Sequence, residues 1–182
     1  QEPDYSVAGT IDNTEYDKTH ADRFTVDGKS ITMEEDVQFA HYDPNVASLM
    51  QLGKWFDYMR ENGVYDNTRI ILVADHGRGL YLNWDRVIDN GPDTDFFFPL
   101  LMVKDFNAKG FSFSDTFMTT ADVPTLATSG LIDNPTNPFT GNAINANAKY
   151  DRPFYAFMSY DWDTSKNNGN QFFPGTWYRV DN

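Results

Sequence analysis

Cysteine is absent from all 182 residues. That excludes disulfides, thiolate-bound zinc and a cysteine nucleophile, and leaves the compartment open. Basic side chains are scarce. The 14 Lys and Arg stand against 27 Asp and Glu, a formal net charge of −13. Such a chain offers no basic footprint for nucleic-acid phosphates and no polybasic patch for an anionic membrane surface. Histidine occurs only three times, so imidazole chemistry must come from His20, His41 or His76. Long hydrophobic runs are missing too. The densest, Phe96–Val103, falls far short of the roughly 20 apolar residues that a membrane-spanning helix needs. No secretory-signal pattern opens the chain, and Gln1 in place of methionine reads as the start of a processed or excised piece. No repeat recurs at periods of about 20–50 residues.

Apolar material is sufficient. Hydrophobic residues make up 40% and aromatics 16%, enough for a packed core and against wholesale disorder. The length fits one domain. Asp27-Gly28 between two short β-rich arms is a hairpin signal. Residues 34–62 read as helical with a bend near Pro44, Asp43 serving as N-cap and Pro44 as first helical residue. Val46, Leu49, Met50, Phe56 and Met59 then share a core-facing stripe, and Gly63 stops the helix. Ile70–Ala74 is continuously apolar and mostly β-branched, the pattern of a strand buried on both faces, as in parallel sheets. Phe98–Val103 is a second such run, and Gly77–Asp95 between them is a long irregular loop. Thr119 or Thr120 caps a helix through Asp122–Ala127 that ends at Gly130. Residues 131–149 read as extended surface loop. Phe154–Trp162 and Phe172–Val180 form a small antiparallel appendage, with turn residues in Asp163–Asn170.

Helix, buried strand, loop, strand, helix is an α/β order, in which ligands sit beyond the carboxyl ends of strands. Beyond Ala74 stand Asp75, His76 and Gly77. A carboxylate beside an imidazole suits a divalent transition metal or zinc, and Gly77 lets the chain bend without a Cβ. Two ligands do not complete a site. A polar turn after a strand is the plain alternative.

The stretch Gly63-Val64-Tyr65-Asp66-Asn67-Thr68, the apolar strand, then Asp75-His76-Gly77 resembles the sulfatase group of the alkaline phosphatase superfamily. Thr119-Thr120-Ala121-Asp122-Val123-Pro124-Thr125-Leu126 is similar to a helix start of the same group, in the expected order. The resemblance covers about residues 34–130. Pro99–Phe106 and the Asn134–Gly141 loop look nearest to bacterial membrane-anchored members resembling lipoteichoic acid synthases. The resemblance implies an α/β/α sandwich with a mainly parallel central sheet. Residues 1–149 would form the C-terminal part of its catalytic domain and 150–182 the β appendage. It implies metal-assisted attack on a phosphate or sulfate ester at an extracytoplasmic membrane face. Asp75 and His76 would be ligands to manganese, zinc, magnesium or calcium, and Arg78 would clasp the oxyanion in bidentate fashion. The nucleophile, an acidic ligand and a substrate-binding histidine belong upstream in that family. Gln1–Tyr5 looks like sequence just after the last of these. No residue here is assigned as nucleophile, and the membrane enters only through an anchor in the missing N-terminal half.

Two rival readings compete. One is a calcium- or glycan-binding extracellular module, with Asp12-Asn13 and Asp161-Trp162-Asp163 as oxygen ligands and exposed aromatics stacking on sugars. The other is a catalytically inert relative with a scaffolding role.

Overall fold

A computed structural model of the chain describes Thr19 and residues 25–26, 28–30, 32–80, 93–158 and 176–180. The chain forms two compact units, Gln1–Gly110 and Phe111–Asn182. The fold is mixed α and β. The first unit contains β1 (Thr25–Val26), β2 (Lys29–Ser30), α1 (Asp36–Glu61), β3 (Ile70–Val73), a one-turn 3-10 helix (Thr94–Phe97) and β4 (Leu101–Lys104). The second contains a 3-10 turn (Thr120–Asp122) leading into α2 (Val123–Thr128), another (Ala148–Tyr150), β5 (Phe154–Met158) and β6 (Thr176–Val180). No helix among the described residues is long and apolar enough to cross a membrane.

The hairpin forms as its turn residues require. Thr25 pairs with Ser30 and Val26 with Lys29, and Gly28 takes φ +75°. The C-terminus of α1 is equally local in origin. Gly63 adopts φ +67°, its N–H bonds the Arg60 carbonyl at 3.0 Å, and Val64 N–H bonds the Met59 carbonyl at 3.0 Å. This is the paired closure that a left-handed glycine permits.

The start of α1 differs from the expectation. Asp43 is not an N-cap. It lies inside the helix, 1% exposed, and the helix runs through Pro44. A stronger start signal lies upstream. Gln38 Oε1 accepts the Glu34 and Glu35 N–H groups at 2.7 and 3.1 Å, the reach-back half of a capping box. Proline still removes the bond to the Ala40 carbonyl, and burial of Phe39 and Ala47 on either side of it holds the helix together. The stripe is also only partly core-facing. Met59 is buried, whereas Leu49 and Met50 are about half exposed.

β3 and β4 pair antiparallel, Ile70 with Lys104 through Val73 with Leu101. All three described ladders are antiparallel. A continuous apolar run fixes neither strand direction nor burial on both faces: Ile70 is buried, but Val73, Met102 and Val103 are exposed. The register continues one step past the ladder, where Arg69 and Asp105 form an ion pair at 2.9 Å. Arg69 is 10% exposed and lies 4.8 Å over the Phe106 ring. The Phe106 N–H, at 2.6 Å, holds the Asp105 carboxyl below its usual range, and the Arg69 guanidinium adds to this. A depressed folded-state pKa contributes stability above the unfolded value of 3.8, lost as pH falls through the lower folded value. Asp105→Asn is therefore expected to remove part of the acid limb of a melting-temperature profile and to leave its slope above pH of about 5 unchanged. An identical acid limb in the variant would contradict the assignment. At the same end, the Lys104 ammonium donates to the carbonyls of Tyr65, Asp66 and Thr68, closing the turn before β3.

In the second unit, β5 pairs antiparallel with β6, Phe154 with Val180 through Met158 with Thr176. Phe157 and Trp177 face each other in that register with ring centroids 4.8 Å apart. The expected antiparallel appendage is thus present. Its connecting turn, Asp163–Asn170, lies outside the described residues. Asp122 accepts the Thr119 N–H at 2.8 Å before α2, and Gly130 takes φ +71° just after it, as the cap and stop signals predict.

Candidate metal centre

β3 ends at Val73, and the Ala74 N–H extends its ladder by bonding the Leu100 carbonyl at 2.9 Å. Asp75 and His76 follow in a bend, with side chains 89% and 66% exposed. Asp75 Oδ1 accepts the His76 N–H at 2.9 Å, and Asp75 Oδ2 stands 3.8 Å from His76 Nε2. His76 Nδ1 lies 2.7 Å from the Gly77 carbonyl. A carbonyl only accepts, so Nδ1 carries the proton of the neutral ring and Nε2 carries the lone pair. This is the arrangement that orients a ligating histidine through its other nitrogen.

Tetrahedral bonds of about 2.0–2.2 Å place ligand atoms roughly 3.3–3.6 Å apart. Nε2 and Oδ2 are a few tenths of an ångström wider than that, a gap that small side-chain rotations close. The spacing is thus close to, and slightly wider than, that of two neighbouring ligands of a divalent ion. Among the described residues no group of three or more His, Asp or Glu side chains converges to complete a metal site. His41 lies in α1, half-buried, with its carbonyl accepting Asn45 Nδ2 at 2.6 Å. His20, Asp12, Asn13, Asp161, Trp162 and Asp163 lie outside the described residues.

The backbone around the pair is tightly held. Gly77 N–H donates to the Phe96 carbonyl at 3.0 Å. A Cβ on Gly77 would stand 1.8 Å from the Asp95 carbonyl oxygen, and one on Gly79 would stand 2.6 Å from the Phe96 ring. The 3-10 helix Thr94–Phe97 therefore lies directly against the Asp-His-Gly bend. Asp93 caps that helix, 2% exposed, accepting the Asp95 N–H at 2.9 Å. Arg78 is exposed, its guanidinium 5.8 Å from the Phe96 ring centroid, at the outer reach of a cation–π contact. Residues 77–95 read as an irregular loop in sequence, whereas the structure places the start of a 3-10 helix at Thr94. Asp93, with Asp95 in the following turn, was the available capping signal.

One more residue ties the segment down. Gln38, 5% exposed, donates from Nε2 to the Leu80 carbonyl at 2.6 Å while its Oε1 serves the start of α1. Gln38→Ala strands those groups and is expected to cost about 1–3 kcal/mol, read as a lower urea midpoint. An unchanged midpoint would show that the link carries no stability.

No protein-family model matches the chain, and neither a curated protein nor a solved structure matches it.

Proposed function

We propose that this chain is the C-terminal portion of a metal-dependent, sulfatase-like hydrolase or transferase. Its substrates are sulfate or phosphate esters, of the phosphoglycerol type. The observation that carries the reading is the Asp75–His76 pair at the carboxyl end of β3. It is exposed, held by a glycine bend, and its ring is fixed with Nε2 turned to bond. The motif resemblance around it supplies the reaction class.

In this proposal Asp75 and His76 hold a divalent cation, manganese, zinc, magnesium or calcium. When bound, such an ion neutralises charge on the transferring oxyanion and lowers the pKa of the attacking group. The Gly77 carbonyl keeps the His76 ring in one tautomer. Arg78 follows one residue beyond the bend, and its forked guanidinium binds a phosphate or sulfate oxygen pair. The nucleophile and remaining ligands come from sequence that precedes Gln1, on a protein anchored at the extracytoplasmic face of a bacterial membrane.

The test is turnover by the full-length native protein of paired phosphate and sulfate esters, before and after chelation. The expected result is hydrolysis or transfer that EDTA abolishes and manganese or zinc restores. Turnover indifferent to chelation, or none with either ester in any metal, would overturn the proposal. Arg78→Ala in the same protein is expected to raise KM or lower kcat by about tenfold or more. Unchanged kinetics would remove Arg78 from the site.

A further inference from the structure

The Asp75–His76 bend is held by a second segment, and that segment depends on one buried carboxylate. Asp93 is 2% exposed, a rare place for an aspartate. Its Oδ1 accepts the Asp95 N–H at 2.9 Å and so caps the 3-10 helix Thr94–Phe97. That helix has little else to hold it. Phe96 N–H bonds the Asp93 carbonyl at 3.4 Å and Phe98 N–H the Asp95 carbonyl at 3.2 Å, both long for a backbone bond. A cap alone does not require burial, since an exposed serine or asparagine makes the same bond. The burial has a counterpart on the other segment. A Cβ on Gly79 would stand 2.9 Å from the Asp93 Cβ and 2.6 Å from the Phe96 ring. Asp93 therefore packs on the backbone just past the Asp-His pair.

Two bonds then lead from the capped helix to the imidazole. The Phe96 carbonyl accepts the Gly77 N–H at 3.0 Å. The carbonyl of Gly77 lies 2.7 Å from His76 Nδ1. Each peptide in this path is fixed by the one before it.

We infer that Asp93 is a positioning residue for the metal pair: by capping the helix it places the Phe96 carbonyl, which fixes Gly77 and with it the tautomer of the His76 ring. This rests on the reading of Asp75 and His76 as metal ligands. The role is indirect, through backbone bonds. A ligating histidine is oriented through its other nitrogen, and loss of such outer support changes metal affinity by about 10–100-fold.

Long-range proton–nitrogen correlation spectra of the 182-residue chain, with the ring neutral and no metal added, report the His76 tautomer. His76→Ala assigns its signals. The native chain is expected to carry the proton on Nδ1, a readout that needs no variant. Asp93→Ala is expected to lose that preference, its ring nitrogens shifting toward those of free histidine. Asp93→Asn keeps an acceptor oxygen and is expected to restore the native pattern. Ala47→Gly opens a gap on the buried face of α1 and is expected to lower the melting temperature without moving the tautomer. In the full-length protein Asp93→Ala is expected to raise the manganese dissociation constant about tenfold or more. A native ring protonated on Nε2 would overturn the inference. So would spectra indifferent to Asp93, the same change in Ala47→Gly, or an unchanged manganese constant. The tautomer is read without metal, so a full-length protein that binds no ion overturns the metal reading separately from the result at Asp93.

Discussion

Gly77→Ala is expected to lower the unfolding free energy by about 3 kcal/mol or more, the largest stability effect of any single methyl addition considered. The added Cβ would stand 1.8 Å from the Asp95 carbonyl oxygen and 3.0 Å from the Phe98 carbonyl oxygen. Neither is the end of a flexible side chain. The segment 94–98 must therefore move, and the bond from Gly77 N–H to the Phe96 carbonyl goes with it. Gly53→Ala is the matched control. Gly53 lies inside α1 with nothing within 4 Å of its Cβ position, so the same methyl is expected to add about 0.5–1 kcal/mol. Urea unfolding of both variants checks the pair. Equal midpoints would mean that the bend is not packed against the 3-10 helix. The same displacement would move the Gly77 carbonyl that the His76 ring bonds.

The second large effect is on activity. His76→Ala in the full-length protein is expected to reduce metal-dependent ester turnover by about 100-fold or more. Its stability is expected to change by less than about 0.5 kcal/mol, since a side chain 66% exposed contributes little packing. Asp75→Asn is expected to act in the same direction, also without unfolding. The split between activity and stability is the informative part. A purely structural turn would lose both or neither. Full turnover in His76→Ala would remove the imidazole from the chemistry, and a collapse in melting temperature would assign it to folding.

Features with a local cause were legible in the sequence. Gly63 closes α1 because only a left-handed residue allows the paired bonds to Met59 and Arg60. Gly28 and Gly130 behave likewise, each with the positive φ that a turn glycine supplies. The structure departs from expectation where two signals compete. Asp43-Pro44 is a good helix start in isolation, but Gln38 bonding the Glu34 and Glu35 N–H groups starts the helix earlier. The run Ile70–Val73 correctly marked a strand. Its apolar content could not say which way the neighbour runs, and the partner Leu101–Lys104 runs antiparallel. Asp75 and His76 were legible as a pair because they adjoin. Their support was not, since Phe96 holds Gly77, and Leu80 is held by Gln38, through backbone carbonyls, which any residue type can offer.

Whether Asp75 and His76 hold a divalent cation, as proposed, is read from metal content. The full-length protein and its Asp75→Asn/His76→Ala double variant would be dialysed against metal-free buffer, and their manganese, zinc, magnesium and calcium measured by elemental analysis. The expected result is a divalent ion retained by the native protein and lost from the double variant at an unchanged melting temperature. Equal metal content in the two, or ester turnover by a native protein that retains no metal, would contradict it.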